Sequence, residues 1–161
     1  MTQAGEFSED EWQSLRRLPL VAASIISAVD YSTMSESKEY QAFADFIRKS
    51  SEKRRQSEFV AMILDETVAA DLQTFQSLCT SVASAMSGEK PVDRALAEAR
   101  DIAKMLDQRL DKKAARAYKE FVLDVALAVA RAHKESALPF ASPISTVEDF
   151  HIRRLSVALG V

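Results

Sequence analysis

The chain has 161 residues, a formal net charge of −3, 47% hydrophobic residues and a single cysteine. This length suits one domain covering residues 1–161, which can bury a core without help from a metal or a disulfide. One cysteine excludes an intramolecular disulfide and favours the cytoplasm as the compartment. The acidic balance argues against a general nucleic-acid-binding protein.

Helix is the secondary structure that the composition favours. The chain holds only three glycines, whereas strand-rich folds need turn residues at short intervals. The most apolar stretch, Leu18–Val29, is shorter than the roughly 20 residues of a membrane span, so we expect a buried core helix and no membrane contact. The acidic start, Met1–Asp10, does not resemble a secretory signal.

The first predicted helix begins at a capping box. Ser8 and Glu11 have the spacing at which each side chain bonds the other's backbone N–H, and Phe7 and Trp12 have the spacing of a hydrophobic staple. Because proline lacks an N–H, Pro19 is expected to divide this region into a short helix ending near residue 17 and a second helix over 19–30. The second is apolar on nearly every face and predicts a central helix.

The middle of the chain predicts further amphipathic helices. After a loop over 31–37, Ser35 or Ser37 is expected to cap a helix that reaches about Lys49. The charged run 50–57 is followed by a helical pattern over 58–86. A further helix is expected over 91–110, with Pro91 at its first position.

The last third contains the second nearly all-apolar segment. Asp111 is expected to cap a helix that runs to about Lys134, with 121–132 buried. A second capping box over 145–148 opens the final helix, on which four residues are expected to point inward: Phe150, Ile152, Leu155 and Leu159. The fold class is therefore an all-α bundle of six to seven helices around two central ones, 19–30 and 121–134, with a pseudo-twofold repeat of a helix–loop–helix unit.

Two parts of the chain share a pattern of helix ends and hinges. In the first half, Ala28-Val29-Asp30 is followed by Ser35 and Glu39, and the C-terminal part contains segments 144–148 and 155–160, the last ending in Leu-Gly. These residues resemble the pattern of the TerB-like (tellurite-resistance) helical proteins, a bacterial group. The opening segment 7–12, followed by 18–20, resembles a group of uncharacterised bacterial proteins. The resemblance leaves out residues 52–110.

The resemblance implies a metal-binding face built from acidic residues that follow each core helix. It assigns that role to Asp30, Glu39 and Glu148. Tyr31 replaces the glycine of the family pattern, and the second aspartate position falls at His133 or Lys134. The alternative is structural, since Glu148 also belongs to a capping box and Asp30 ends a core helix.

Other chemistry has less support in the sequence. No nucleophile lies beside a base, and no phosphate-binding glycine loop occurs. The apolar loop 137–143, with Leu138 and Phe140, is a candidate interaction surface or a cover for the core. We therefore expect a non-enzymatic interaction or scaffold protein without a cofactor, associated with stress through the resemblance, with a protein partner or a homodimer. The alternatives are a divalent-metal-binding protein and, third, a bundle enzyme.

Overall fold

The computed structural model describes residues 7–29, 33–52, 58–66, 77, 90–132 and 146–161. These contain six α-helices and no strand, which confirms the predicted all-α class. The helices are α1 (Glu9–Val29), α2 (Thr33–Glu52), α3 (Glu58–Glu66), α4 (Lys90–Arg109), α5 (Lys112–Ala132) and α6 (Thr146–Leu159).

The two apolar helices lie at the centre, as predicted. α1 and α5 share the most extensive helix–helix interface among the described elements. Residues 21–27 of α1 are buried without interruption, and ten residues of α5 are buried along its length. α2 and α6, which follow the two central helices, each pack against both of them, and α6 also packs extensively on α4. All six helices contribute to one hydrophobic cluster.

The start of α1 has the predicted geometry. The Ser8 N–H donates to Glu11 Oε2 at 2.8 Å, and the Glu11 N–H donates to Ser8 Oγ at 3.2 Å. The rings of Phe7 and Trp12 meet edge to face with centroids 5.5 Å apart. The capping box and the staple therefore fix where α1 begins and how the chain enters it.

Two predicted boundaries were wrong. α1 continues through Pro19 as a single helix, because the Tyr118 hydroxyl donates to the Leu15 carbonyl that the proline leaves without an N–H. α2 begins at Thr33, so Ser35 and Ser37 lie within the helix and not before it. Ser35 lies in the first turn, where short polar residues are tolerated because the backbone N–H groups have no helical partner in any case.

The ends of α5 and α6 also follow the sequence. Asp111 Oδ1 accepts from the Ala114 N–H at 2.9 Å, as an N-cap does. After α6, Gly160 has a φ of +73°, and the N–H groups of Gly160 and Val161 donate to the carbonyls of Val157 and Ser156. This pattern is a Schellman motif, in which glycine takes the left-handed position.

Phe150 is the one predicted core position of α6 that was wrong. It is 55% exposed, whereas Ile152, Leu155 and Leu159 are buried as expected. Phe150 lies two residues before Ile152, and two residues rotate a helix by roughly 200°, so these two side chains cannot share one face. The Arg154 guanidinium lies 5.7 Å from the Phe150 ring centroid and covers part of it.

Candidate functional site

Glu39, one of the three residues assigned to a metal-binding face, lies in the core. It is 1% exposed, and its Oε2 accepts a hydrogen bond from the hydroxyl of Ser27, which is equally buried in the last turns of α1. The contact ties the end of α1 to the second turn of α2. A buried carboxylate requires such partners, so Glu39 fixes the geometry of this helix pair whether or not a cation binds.

Glu148, the corresponding residue of the second half, is also 1% exposed. It is the third residue of α6, where a carboxylate interacts favourably with the positive end of the helix dipole. Ser145, its capping-box partner, and Asp30, the third predicted ligand, lie outside the described residues, as do His133 and Lys134. Within the described ranges, no three histidine, cysteine or acidic residues are grouped closely enough to hold a metal ion.

The predicted interaction residues Leu138 and Phe140 also lie outside the described part of the chain. Among the described residues, the large exposed hydrophobic side chains are Phe150 and Val157, at 55% and 79%. They lie seven residues apart, so both are on the outward face of α6.

A groove with mixed apolar and charged lining lies between α2 and α5. Its volume is about 470 Å³, within the range of ligand-binding clefts. The lining residues come from the same face of each helix at helical spacing: Ala42, Asp45, Phe46 and Lys49 from α2, and Asp124, Leu127, Ala128, Arg131 and Ala132 from α5.

The apolar part of the groove combines small and large side chains. Three alanines, Ala42, Ala128 and Ala132, line it together with Phe46 and Leu127. Phe46 is held in place by stacking on Phe121 of α5, with ring centroids 6.1 Å apart. Because alanine side chains fill little of the space between the two helices, they leave the groove open, and the larger side chains of Phe46 and Leu127 form its sides.

Charges of both signs line the same groove. Asp45 pairs with Arg48 on the exposed side of α2 at 3.1 Å, whereas Lys49, Asp124 and Arg131 form no ion pair with any described residue. Burial, followed by the nearby carboxylate of Glu120, raises the pKa of Asp124, and Arg131 partly offsets this. The groove therefore offers a partner an apolar floor with ionic contacts of both signs.

Sequence reasoning did not find this groove. The signal was available in part, because Ala42–Phe46–Lys49 and Asp124–Ala128–Arg131 share the same helical spacing of small or apolar residues beside charges. What the sequence does not contain is the pairing of α2 with α5, which are separated by two other described helices.

Two further observations bear on function. None of the helices described here has an apolar stretch long enough to cross a membrane. Comparisons of the chain with protein-family models, with curated proteins and with solved structures give no match.

Proposed function

We propose that this protein is a non-enzymatic interaction protein, and that its groove between α2 and α5 receives an amphipathic helix of a protein partner. The observation that carries the proposal is the matched pair of helical stripes lining one groove. The resemblance to TerB-like proteins adds a stress-associated role as an expectation, and the single cysteine favours the cytoplasm.

The shape of the groove favours a helix as its occupant. Both lining stripes run along their helix axes over about two turns, so the groove is elongated. An amphipathic helix presents apolar residues at positions i, i+3, i+4 and i+7, which suit an elongated apolar floor. The alanines at 42, 128 and 132 allow that ridge to approach the backbones of α2 and α5.

The charges favour a partner with ionic groups of both signs beside its apolar ridge. Lys49 and Arg131 would face carboxylates of the partner, and Asp124 would face a cation. Docking would remove water from Asp124, so an opposite charge is needed there to offset the cost of burying the carboxylate. Such rim contacts set orientation and selectivity more than affinity.

Binding of a designed peptide tests the proposal. The probe is a fluorescein-labelled helical peptide with leucines at i, i+3, i+4 and i+7 flanked by glutamate and lysine, and the control is a scrambled peptide of the same composition. We expect the amphipathic peptide to bind at micromolar concentration by anisotropy and the scrambled peptide to bind at least about tenfold more weakly. Equal binding of the two would contradict a helix-shaped groove.

Variants locate the binding. Ala128→Trp fills the groove and is expected to abolish peptide binding, whereas Ala97→Trp, on the exposed face of α4, leaves it intact. Both proteins are checked by circular dichroism for an unchanged helix content. If the parent sediments as a dimer and A128W as a monomer, a second copy of the chain occupies the groove and the assignment to another protein is wrong.

The second candidate function, a carboxylate-based divalent-metal-binding protein, is favoured by the burial of both Glu39 and Glu148. Buried carboxylates at the starts of the two helices that follow the central pair are the donor type that hard cations take. A native-state site would raise the melting temperature in a panel of Ca²⁺, Mg²⁺, Mn²⁺ and Zn²⁺, and the shift would disappear in Glu39→Gln or Glu148→Gln. No shift with any ion would remove this candidate.

A further inference from the structure

A second concave surface lies where the start of α5 meets the end of α6, apart from the α2–α5 groove. Its volume is about 570 Å³. The described residues that line it are Asp107 of α4, Lys112, Arg116 and Lys119 of α5, and Gly160 and Val161 after α6. No aromatic ring occurs among these six residues, so this cleft distinguishes ligands by charge.

The cationic side chains of the cleft form one stripe. Lys112, Arg116 and Lys119 are at positions i, i+4 and i+7 of α5 and therefore share one face over roughly 10 Å. Lys112 lies in the first turn of the helix, where the dipole adds positive potential. The lining holds three cations and one carboxylate side chain. With Glu120, which contacts Arg116, the side chains at the cleft carry an excess of one positive charge.

The side chain of Lys119 is buried at the base of this cleft and held in one position. The residue is 5% exposed, and its Nζ lies 2.6 and 2.7 Å from the two carboxylate oxygens of Asp107. A buried ammonium held by a two-oxygen contact cannot swing away, as an exposed lysine does. The ammonium, paired with Asp107, is therefore held in one position before any ligand arrives.

The other two cations remain available to the cleft. Arg116 contacts Glu120 at 2.6 Å through its Nε only, and both side chains are largely exposed, so the pair is weak and leaves the terminal guanidinium nitrogens free for a second contact. Lys112 makes no ion pair with any residue that the structure describes.

Gly160 keeps one wall of the cleft open. A Cβ added at this position would have no atom within 4 Å, which means that the glycine faces open space. The N–H groups of Gly160 and Val161 are already used in the Schellman motif, and the Ser156 hydroxyl donates to the Val161 carbonyl oxygen. The helix end thus sets the position of this wall.

We propose that this cleft binds a small multivalent anion carrying phosphate groups, held by Lys112 and Arg116 over the fixed charge of Lys119. Arginine offers the planar fork that phosphate oxygens accept, and lysine supplies a point charge. The volume exceeds that of inorganic phosphate and leaves room for a diphosphate or a small organic phosphate. This ligand site is independent of the partner groove.

Titration of the full chain with pyrophosphate, in a buffer containing 0.15 M NaCl to screen weak surface contacts (the Debye length is then about 8 Å), tests the proposal. The readouts are the melting temperature and the amide shifts of residues 111–119 and 156–161. We expect saturable binding below millimolar concentration. The double variant Lys112→Gln/Arg116→Gln is expected to bind about a hundredfold more weakly, because each of the two lost charged contacts is worth roughly one order of magnitude in affinity.

A matched control separates a site from general charge. Lys38→Gln/Arg94→Gln removes one lysine and one arginine from exposed positions on α2 and α4, and it should bind pyrophosphate within twofold of the parent. An equal loss in both double variants would overturn the proposal, as would the absence of saturation in the parent. Citrate, a multivalent carboxylate, is titrated in a second experiment. Citrate binding as tight as that of pyrophosphate would contradict the proposal that the ligand carries phosphate groups.

Discussion

The hydroxyl of Tyr118 occupies the place that Pro19 leaves vacant in the hydrogen bonding of α1. In a regular helix the N–H of residue 19 would donate to the carbonyl of Leu15, and proline has none. The Tyr118 Oη lies 2.6 Å from that carbonyl oxygen, across a sequence separation of 103 residues. Burial, with a smaller contribution from Glu98, raises the pKa of Tyr118 well above its ordinary value, so the hydroxyl stays protonated and donates.

Removing this hydroxyl should destabilise the protein. In Tyr118→Phe the Leu15 carbonyl is buried without a donor, and an unsatisfied buried acceptor costs about 1–3 kcal/mol. The measurement is the free energy of unfolding from urea titration monitored by circular dichroism.

Pro19→Ala provides the control for this prediction, because it returns an N–H to position 19. Y118F should then cost less in the P19A background than in the parent, with a coupling energy of about 1 kcal/mol in a double-mutant cycle. Strictly additive effects of the two substitutions would show that the hydroxyl does not compensate the proline.

The same residue pair shows why the helix boundary at Pro19 could not be predicted. Local rules for proline are correct for an isolated segment, where an interior proline costs about 3 kcal/mol. The compensating donor lies on α5 and reaches Leu15 only after the fold forms. By contrast, the capping box at Ser8 and the N-cap at Asp111 depend on residues three positions apart and were predicted correctly.

The candidate sites show the same difference between local patterns, which the sequence contains, and contacts between distant helices, which it does not. The resemblance assigns Glu39 and Glu148 to a metal-binding face, and the structure places both in buried positions, which the sequence did not predict. The sequence contains no sign that Ser27 bonds Glu39, or that α2 and α5 share a groove, because both depend on which helices pack together. Lys119 was missed for a related reason: a lysine in a charged segment indicates an exposed face unless its partner, Asp107, is known.

The Lys119–Asp107 pair leads to an asymmetric prediction. Asp107→Asn leaves a buried ammonium without its counter-ion and should destabilise by about 1–3 kcal/mol, less than a fully buried pair because the Asp107 side chain is 59% exposed. Lys119→Met removes the charge and keeps the volume, so it should cost less than D107N. Thermal or urea unfolding of both variants checks the order, and a larger loss in K119M would contradict it.

Glu11 should make the stability of the protein sensitive to acid. Its hydrogen bonds with Arg109, at 2.6 and 2.8 Å, and then with the Ser8 N–H hold its pKa below the ordinary value of 4.5. A carboxyl with a lowered folded-state pKa contributes stability above its unfolded pKa and loses that contribution as the pH falls through the folded-state pKa. The melting temperatures of the parent and Glu11→Gln should therefore differ at pH 7 and converge as the pH falls below 4.5 and through the folded-state pKa of Glu11.

Because α5 lies at the centre of the bundle, a charged side chain introduced at one of its buried alanines should strongly destabilise the protein. Ala126 is fully buried, and an aspartate there would place an unpaired carboxylate between helices at a cost of several kcal/mol. We expect Ala126→Asp to unfold the protein or nearly so by circular dichroism. Ala97→Asp makes the same chemical change on the exposed face of α4 and should melt within a few degrees of the parent.

Since global unfolding is the only route by which water reaches fully buried backbone, amides of residues 21–27 and 121–130 should exchange most slowly in the parent. Rapid exchange there, or a parent-like melting temperature for A126D, would mean that α1 and α5 are not the centre of the bundle.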